Sequence, residues 1–535
     1  MTLLLKSDTL QLMKIADTCW PTLKMALVVL FVSACTQKPP KLATNDNYPI
    51  TVAKEVFSTG FDNISERYIE ITSPARFTVE GLKGLGSIDP AITFATVKGE
   101  VIQRVNNKIA GRLSTPKIND AKGWAELTVE MVVLARQVSE ELKEATPEKI
   151  YEAVFDSILS SLDIHSRYAG ASEAKKNREK RDGFGGVGIR FRIIKDVPEV
   201  IWIMPNTPAF RAGLKLGDQM THVGSESLSG LRKSQVTDKL RGPIGSTLSL
   251  SIVRQDENRP VLYKIKRALI VRESVSYEHH KGIVTIKIRN FNQSTARDTL
   301  NKLKKAHENL GNEAKGIVLD MRGNSGGVLE QSIKVADLFL ANGRISETRG
   351  RHPDSLQFYD ASGRDMAYGR PVVVLVDGKS ASAAEVTAAA LQDQGRAIII
   401  GTSSFGKGTV QTVISLPNEG EITLTWSRLI TPSGYRLQGL GIFPMICTSG
   451  INGKSINGNS VIKNALANQT RTTRVLKAWR SISYLEKQKH KELRSFCPPE
   501  RRKDKLDSTV AETMLHNKAL YTYALELSAA AVAAQ

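Results

Sequence analysis

Apolar positions change their period along the chain, and each change marks a boundary. Between 48 and 180 they recur every three to four residues, in VAKEVFSTGFDNISERYIEI, KGWAELTVEMVVLARQVSEELK and EKIYEAVFDSILSSL, which predicts amphipathic helices. The charged run EAKKNREKRD (173–182) reads as a linker closing that region. From 183 to 270 the pattern shortens to strands and turns, with one helix at TPAFRAGLKLG and another around SQVTDKLRG. Beyond 271 strands and helices alternate. GIVTIKIRNF, KGIVLDMR, RPVVVLVD and AIIIG read as strands, and TARDTLNKLKKAHENLG, VLEQSIKVADLFLA and SAAEVTAAALQDQ as helices. RPVVVLVD is apolar without a break, as in a strand covered on both faces. A hairpin-like pair, TVQTVISL and GEITLTWSRLI, follows, and 447–535 reads as basic and largely helical.

Length and charge narrow this further. A chain of 535 residues exceeds one core, and its 41% hydrophobic and 24% charged content is that of a globular protein. The formal charge of +20 is partly concentrated beyond residue 447, without a zinc, RRM or helix-turn-helix pattern. It therefore reads as a solvated or membrane-surface basic face, and no nucleic-acid partner is expected. After Lys24, MALVVLFVSA (25–34) is too short to span a bilayer and has the length of a signal-peptide core. It ends in Val32-Ser33-Ala34-Cys35, which resembles the bacterial lipobox. Residues 1–35 are thus expected to be a lipoprotein signal peptide, with Cys35 lipidated, the chain exported, and the protein anchored to a membrane of the cell envelope facing the periplasm. Cys447 and Cys497 then remain in the mature chain, and an oxidising compartment makes a disulfide between them the expectation. No C-x-x-C or His/Cys cluster suggests a metal.

Three glycine-bearing motifs look like known chemistry, and two fail on context. GFGGVG (183–188) fits a dinucleotide fingerprint, but a charged run precedes it and the strand IRFRII follows, where a helix is required. A glycine turn running into a strand instead exposes main-chain N–H groups that can capture a peptide's terminal carboxylate, while the strand edge pairs with the peptide. The downstream IMPNTPAFRAGLKLGDQMTHVGSESLSGL resembles a PDZ domain, which implies that Gly186, Val187, Gly188 and Ile189 bind the substrate C-terminus. Gly323-Asn324-Ser325-Gly326-Gly327 fits a nucleophile elbow, with Ser325 as nucleophile. It lacks a placed base, because the later histidines are His352 in an arginine-rich loop and His490 and His516 in the tail.

GTSSFGKGTV (401–410) mimics a phosphate loop, but Gly408 stands where a metal-binding hydroxyl belongs and a strand follows. Lys407 has another use. Ser382 opens a helix after a buried strand, and one helix and one strand later the chain returns to Lys407. A desolvated, neutral lysine can serve as the base for a serine. Amides at a helix N-terminus can stabilise the oxyanion, with Ala383 and the Gly326–Gly327 turn as candidates.

The segment 378–411 resembles the S-A-S-A-S-E-I…Q-D…G-x-x-T-F-G-K-G-x-V-Q block of C-terminal processing (tail-specific) peptidases, PDZ-containing serine endopeptidases with a Ser/Lys dyad. LSSLDIHSRYAG (159–170) and VLDMRGNSGGVLEQS (318–332) resemble two further elements of that family. The resemblance implies Ser382 as nucleophile, Lys407 as general base, Gln411 as the side chain that orients the lysine, and Asp393 as a supporting structural partner. Glu385 is given a helix role. Ser325, Ala384, Lys379 and Met445 depart from the family pattern; Lys379, if buried near Ser382, would depress the Lys407 pKa by like-charge repulsion.

The fold class expected is α+β multidomain. A linker and helical N-terminal domain (36–182) precede a PDZ domain (183–270), a β/α, ClpP/crotonase-like peptidase core (271–446) and a basic helical C-terminal extension (447–535). The expected function is cleavage of proteins with exposed C-termini through an acyl-enzyme, without a cofactor. An adaptor or activator protein and a homo-oligomer are compatible with it. Two other classes remain open at this point, a catalytically silent PDZ scaffold and a histidine-dependent esterase built on Ser325.

Overall fold

A computed structural model describes residues 47–254, 257–363, 365–451, 457–483, 485–501 and 505–530. The expected signal segment and Cys35 lie outside the described residues. No described helix is long and apolar enough to cross a membrane.

The region from residue 271 is organised around a six-stranded sheet in the order Val275–His280, Ile283–Ile288, Gly316–Asp320, Val372–Val376, Ile398–Gly401, Ile446–Cys447. The first pair is antiparallel and the rest are parallel. The strands Gly316–Asp320, Val372–Val376 and Ile398–Gly401 are buried at every position, so their unbroken apolar sequences need cover on both faces. Part of that cover comes from the helices Thr295–Leu310, Leu329–Asp337 and Ala383–Asp393. The tail supplies more. Its helices Leu506–His516 and Lys518–Ala530 pack on the sheet, and Trp479, Cys497, Val510, Met514 and Ala524 are buried in the same core. The strand Ile446–Cys447 forms the sheet's edge and runs straight into that tail. The tail is therefore structural cover for this core rather than an appendage to it.

A second sheet joins Gln357–Asp360, Arg344–Gly350, Glu421–Ile430 and Thr409–Ser415, and the short strand Arg167–Ala169 pairs with Glu421–Ile430. Ile414, Leu416, Ile422 and Leu424 of this hairpin enter the N-terminal core beside Phe57, Phe61 and Phe155. That contact ties the N-terminal region to the strand that follows Lys407.

The N-terminal region is not all helical. Helices Ile50–Arg67, Ala121–Val138 and Pro147–Leu162 form as the periodicity predicts, but an antiparallel meander, Ile92–Val97, Glu100–Val105 and Lys108–Ser114, lies between them. Its two turns place Lys98-Gly99 and Asn106-Asn107 at positive φ, the geometry that tight hairpins require. The charged run is also no linker. It forms the helix Ala171–Arg181, which buries only Ala174 and is held by ion pairs such as Arg178–Glu421 at 3.0 Å.

In the intervening domain the sheet order is Glu257–Lys266, Thr247–Arg254, Gln219–Val223, Val197–Ile203, Ile189–Ile194. Among the described residues the last strand has no neighbour on its outer side, and the helix Lys233–Leu240 contributes Val236 and Leu240 to the core beneath it.

Candidate active site

The three strands Gly316–Asp320, Val372–Val376 and Ile398–Gly401 are parallel neighbours, so the loops after them open at one end of the sheet, where α/β proteins place their sites. Those loops carry the Gly326–Gly327 turn, Ser382 and Lys407.

Ser382 caps the helix Ala383–Asp393 with φ 55° and ψ −117°, a left-handed conformation that is strained for a residue with a Cβ. What holds it there is Glu385. The Ser382 N–H donates to Glu385 Oε2 at 2.7 Å, and the Lys407 N–H donates to the same oxygen at 2.9 Å. Oε1 accepts from the Gly406 N–H at 2.6 Å and from the Ser404 hydroxyl. One fully buried carboxyl group thus pins the backbones of Ser382 and Lys407 side by side. Burial raises its pKa, and the four donors oppose that shift without cancelling it. Glu385 had been read as a helix residue. The signal that reveals it is the S-x-x-E spacing of a capping box, Ser382 to Glu385.

Lys407 is mostly withdrawn from water, and that desolvation is the main cause of its lowered pKa. The Arg167 cation lowers it further, while Asp163 and Glu385 oppose the shift. The like charge therefore comes from Arg167, because Lys379 is exposed. Arg167, Asp163 and His165 belong to the LDIHSRY element, which the strand Arg167–Ala169 carries to the hairpin after Lys407. Burial and the nearby Lys407 also lower the His165 pKa. No hydrogen bond joins Lys407 Nζ to Ser382 Oγ in this arrangement. The main chains are fixed, and the ammonium rides on a flexible four-carbon stem.

Gln411 is not aimed at the lysine. Its Nε2 donates to Thr409 Oγ1 at 2.9 Å and to Thr425 Oγ1 at 3.4 Å, and Thr425 in turn donates to Asp163. A register shift between Val410 and Gln411 in the hairpin sets that orientation. Gly326 is likewise displaced from the oxyanion role, since its N–H is already given to Asn324 Oδ1 at 2.9 Å. Its use is closeness: a Cβ on Gly326 would lie 2.9 Å from Ser382 Cβ and 3.1 Å from the Ala383 nitrogen. Among the described residues, the N–H groups of Ala383 and Gly327 have no hydrogen-bond partner, which leaves both available to an oxyanion. Asp393 sits at the far end of the helix Ala383–Asp393, where it accepts from Ser433 and pairs with buried Arg480 of the tail at 3.0 Å. Its place is structural.

Ser325 is exposed, and two of its three candidate bases, His352 and His490, are held by other partners, while His516 is exposed in the tail. His352 faces Glu66 at 3.2 Å, and His490 faces the Ser483 carbonyl at 3.0 Å. Cys447 and Cys497 form a disulfide.

In the domain of 183–270, a groove of about 500 Å³ runs between the open strand Ile189–Ile194 and the helix Lys233–Leu240. Val187, Ile189, Phe191 and Leu240 give it an apolar floor. At its end the N–H groups of Val187 and Gly188 have no partner among the described residues, while their carbonyls accept from Ala209 and Met204. Gly188 has φ 87°, and a Cβ there would meet Thr207 at 2.5 Å.

Comparison with known proteins agrees with this geometry. The profile of Peptidase family S41 matches residues 282–447, and that of a PDZ domain matches 185–265. The carboxy-terminal-processing protease of Bartonella bacilliformis is 39% identical over 301 residues, covering 56% of this chain and 69% of that protein. A probable CtpA-like serine protease of Staphylococcus aureus is 30% identical over 357 residues, covering 66% of this chain and 69% of that protein. The chain belongs to Peptidase family S41 and is a PDZ-containing C-terminal processing protease of the serine type.

Proposed function

We propose that the protein cleaves its substrates with a Ser382/Lys407 dyad through an acyl-enzyme. The observation that carries this reading is the pair of main-chain N–H groups, one from each residue, converging on a single buried Glu385 oxygen. The substrate's terminal carboxylate docks on the N–H groups of Val187 and Gly188, an apolar last side chain enters the groove, and the preceding segment adds to the open strand Ile189–Ile194. Ser382 Oγ attacks the scissile carbonyl as neutral Lys407 takes its proton. The N–H groups of Ala383 and Gly327 receive the oxyanion, the lysine returns the proton to the leaving amine, and water then releases the acyl group. The lowered Lys407 pKa supports this role, since a lysine with its ordinary pKa is almost wholly charged near neutrality.

The short apolar segment ending in Cys35 supports export and lipid anchoring to a membrane of the cell envelope, with the peptidase facing the periplasm. An adaptor protein and self-association are further elements of the reading. Cys35→Ser is expected to abolish incorporation of labelled palmitate.

The mechanism is tested by incubating the purified protein with an unfolded protein that ends in apolar residues. Ser382→Ala and Lys407→Ala should abolish cleavage while Ser325→Ala retains it. Loss of activity in Ser325→Ala alone would return the esterase reading, and binding without cleavage by the unaltered protein would return the scaffold.

A further inference from the structure

The family profile ends at residue 447, yet the chain beyond it reaches back to both catalytic segments. Arg494, in the last turn of the helix Lys487–Ser495, donates from Nη2 to the Ser404 carbonyl at 2.9 Å and from Nη1 to the Leu440 carbonyl. Ser404 is the residue whose hydroxyl donates to Glu385, and that hydroxyl accepts from the Ile442 N–H at 2.7 Å. Three residues on, Cys497 is bonded to Cys447 at the edge of the core sheet. Glu500 then closes the connection. Its carbonyl accepts from the Gly378 N–H at 2.7 Å and from Thr402 Oγ1 at 3.1 Å, and its own N–H donates to Thr402 Oγ1 at 3.1 Å. Gly378 and Thr402 lie a few residues ahead of Ser382 and Lys407, one in each catalytic loop.

We propose that the tail segment 494–500 is a brace that sets the alignment of the dyad, with Arg494 as a positioning residue acting through Ser404 and Glu385 and the Cys447–Cys497 disulfide holding the brace in place. The proposal rests on the Ser382/Lys407 reading. Its physical basis is that the chain between Thr402 and Gly408 has no regular structure and carries Gly406 at φ 89°, so it does not hold its own shape. Hydrogen bonds from outside must supply the rigidity. Arg494 also supplies a charge. Burial works against the Arg494 charge and Glu385 favours it, and a guanidinium stays charged where a lysine serving as base must be neutral.

The test compares kcat and KM of the full-length protein with Arg494→Met, which keeps the apolar stem, and Arg494→Lys, which keeps the charge but only one of the two carbonyl contacts. The substrate is an unfolded protein with an apolar C-terminus, and thermal unfolding is followed in parallel. The expected result is a kcat roughly ten- to a hundredfold lower for the Met variant, as for misplacements remote from the chemistry. Arg494→Lys should recover part of the loss, and KM should stay within about twofold because the peptide groove is untouched. The paired change Cys447→Ser and Cys497→Ser should lower kcat as well, and adding Arg494→Met to it should cost less than the separate effects combined. If the Met variant does not fold, the Lys variant decides, with a lowered kcat supporting the brace. Wild-type kcat in every Arg494 variant that folds, beside inactive Ser382→Ala and Lys407→Ala, overturns the brace alone. Cleavage retained by Ser382→Ala or Lys407→Ala overturns the dyad and the brace with it.

Discussion

Glu385→Gln is the most informative single change, because it alters the clamp without emptying it. Three main-chain N–H groups and one hydroxyl point at this side chain. An amide has one acceptor oxygen, so its NH2 must face either Ser382 and Lys407 or Ser404 and Gly406. The second choice is better, since the Ser404 hydroxyl can turn to accept, although it already accepts from the Ile442 N–H. The Gly406 N–H is then left without a partner, at a cost of roughly 1–3 kcal/mol. The two remaining bonds lose charge assistance and weaken by about half. Together these make a penalty of roughly 2–4 kcal/mol, concentrated on the loop that carries Lys407. If even a third to a half of that falls on dyad alignment, kcat drops about tenfold.

The same change has an electrostatic consequence of opposite sense. The Glu385 anion raises the Lys407 pKa against desolvation, so its removal lowers that pKa further. Activity, which is lost as pH falls through the lysine pKa, should then persist to lower pH in the variant even as its plateau falls. Both effects are read from pH–rate profiles of kcat with an unfolded protein substrate, and the stability loss from thermal unfolding. A plateau within twofold of the unaltered protein, or an acid limb that moves to higher pH, would refute the claim that an ionised carboxylate aligns these residues.

Arg167→Gln should act in the other direction. Removing the cation that depresses Lys407 raises the lysine pKa, so the acid limb moves to higher pH while the high-pH plateau of kcat stays within about threefold, the barrier itself being little changed. An unmoved limb would show that desolvation alone sets the lysine. At the groove, amidating the substrate's C-terminus removes the anion that we propose docks on the Val187 and Gly188 N–H groups. Loss of a charged hydrogen bond is worth roughly 1.5–3 kcal/mol, so KM should rise about tenfold or more with kcat little changed; equal KM values for acid and amide would remove the carboxylate from recognition.

Much of this was legible in the chain. The unbroken run VVVLV, the alternating hairpin around Glu421–Ile430 and the three-to-four periodicity of Ala121–Val138 are local patterns, and each formed the element its period dictates. The meander at 92–114 was missed because its strands lie between long helices whose periodicity dominates the region. The 171–181 helix was missed because it has almost no apolar face and is held by ion pairs with partners that include Glu421, far away in sequence. At the site, a long motif singled out Ser382 and Lys407, whose main chains meet at Glu385, whereas Gln411 and Gly326 were given partners that the structure assigns elsewhere.

The sequence by itself determined the order of domains and the residue types for serine chemistry, because period, glycine turns and motif spacing are properties of neighbours along the chain. Tertiary structure decided which donors stay free, which cation faces the lysine, and that one buried carboxyl holds the main chains of both Ser382 and Lys407. It also turned the tail into a wall of the core. Those outcomes depend on desolvation and on hydrogen bonds between segments tens to hundreds of residues apart, and a buried donor can be spent only once. Local pattern carries no record of where it was spent.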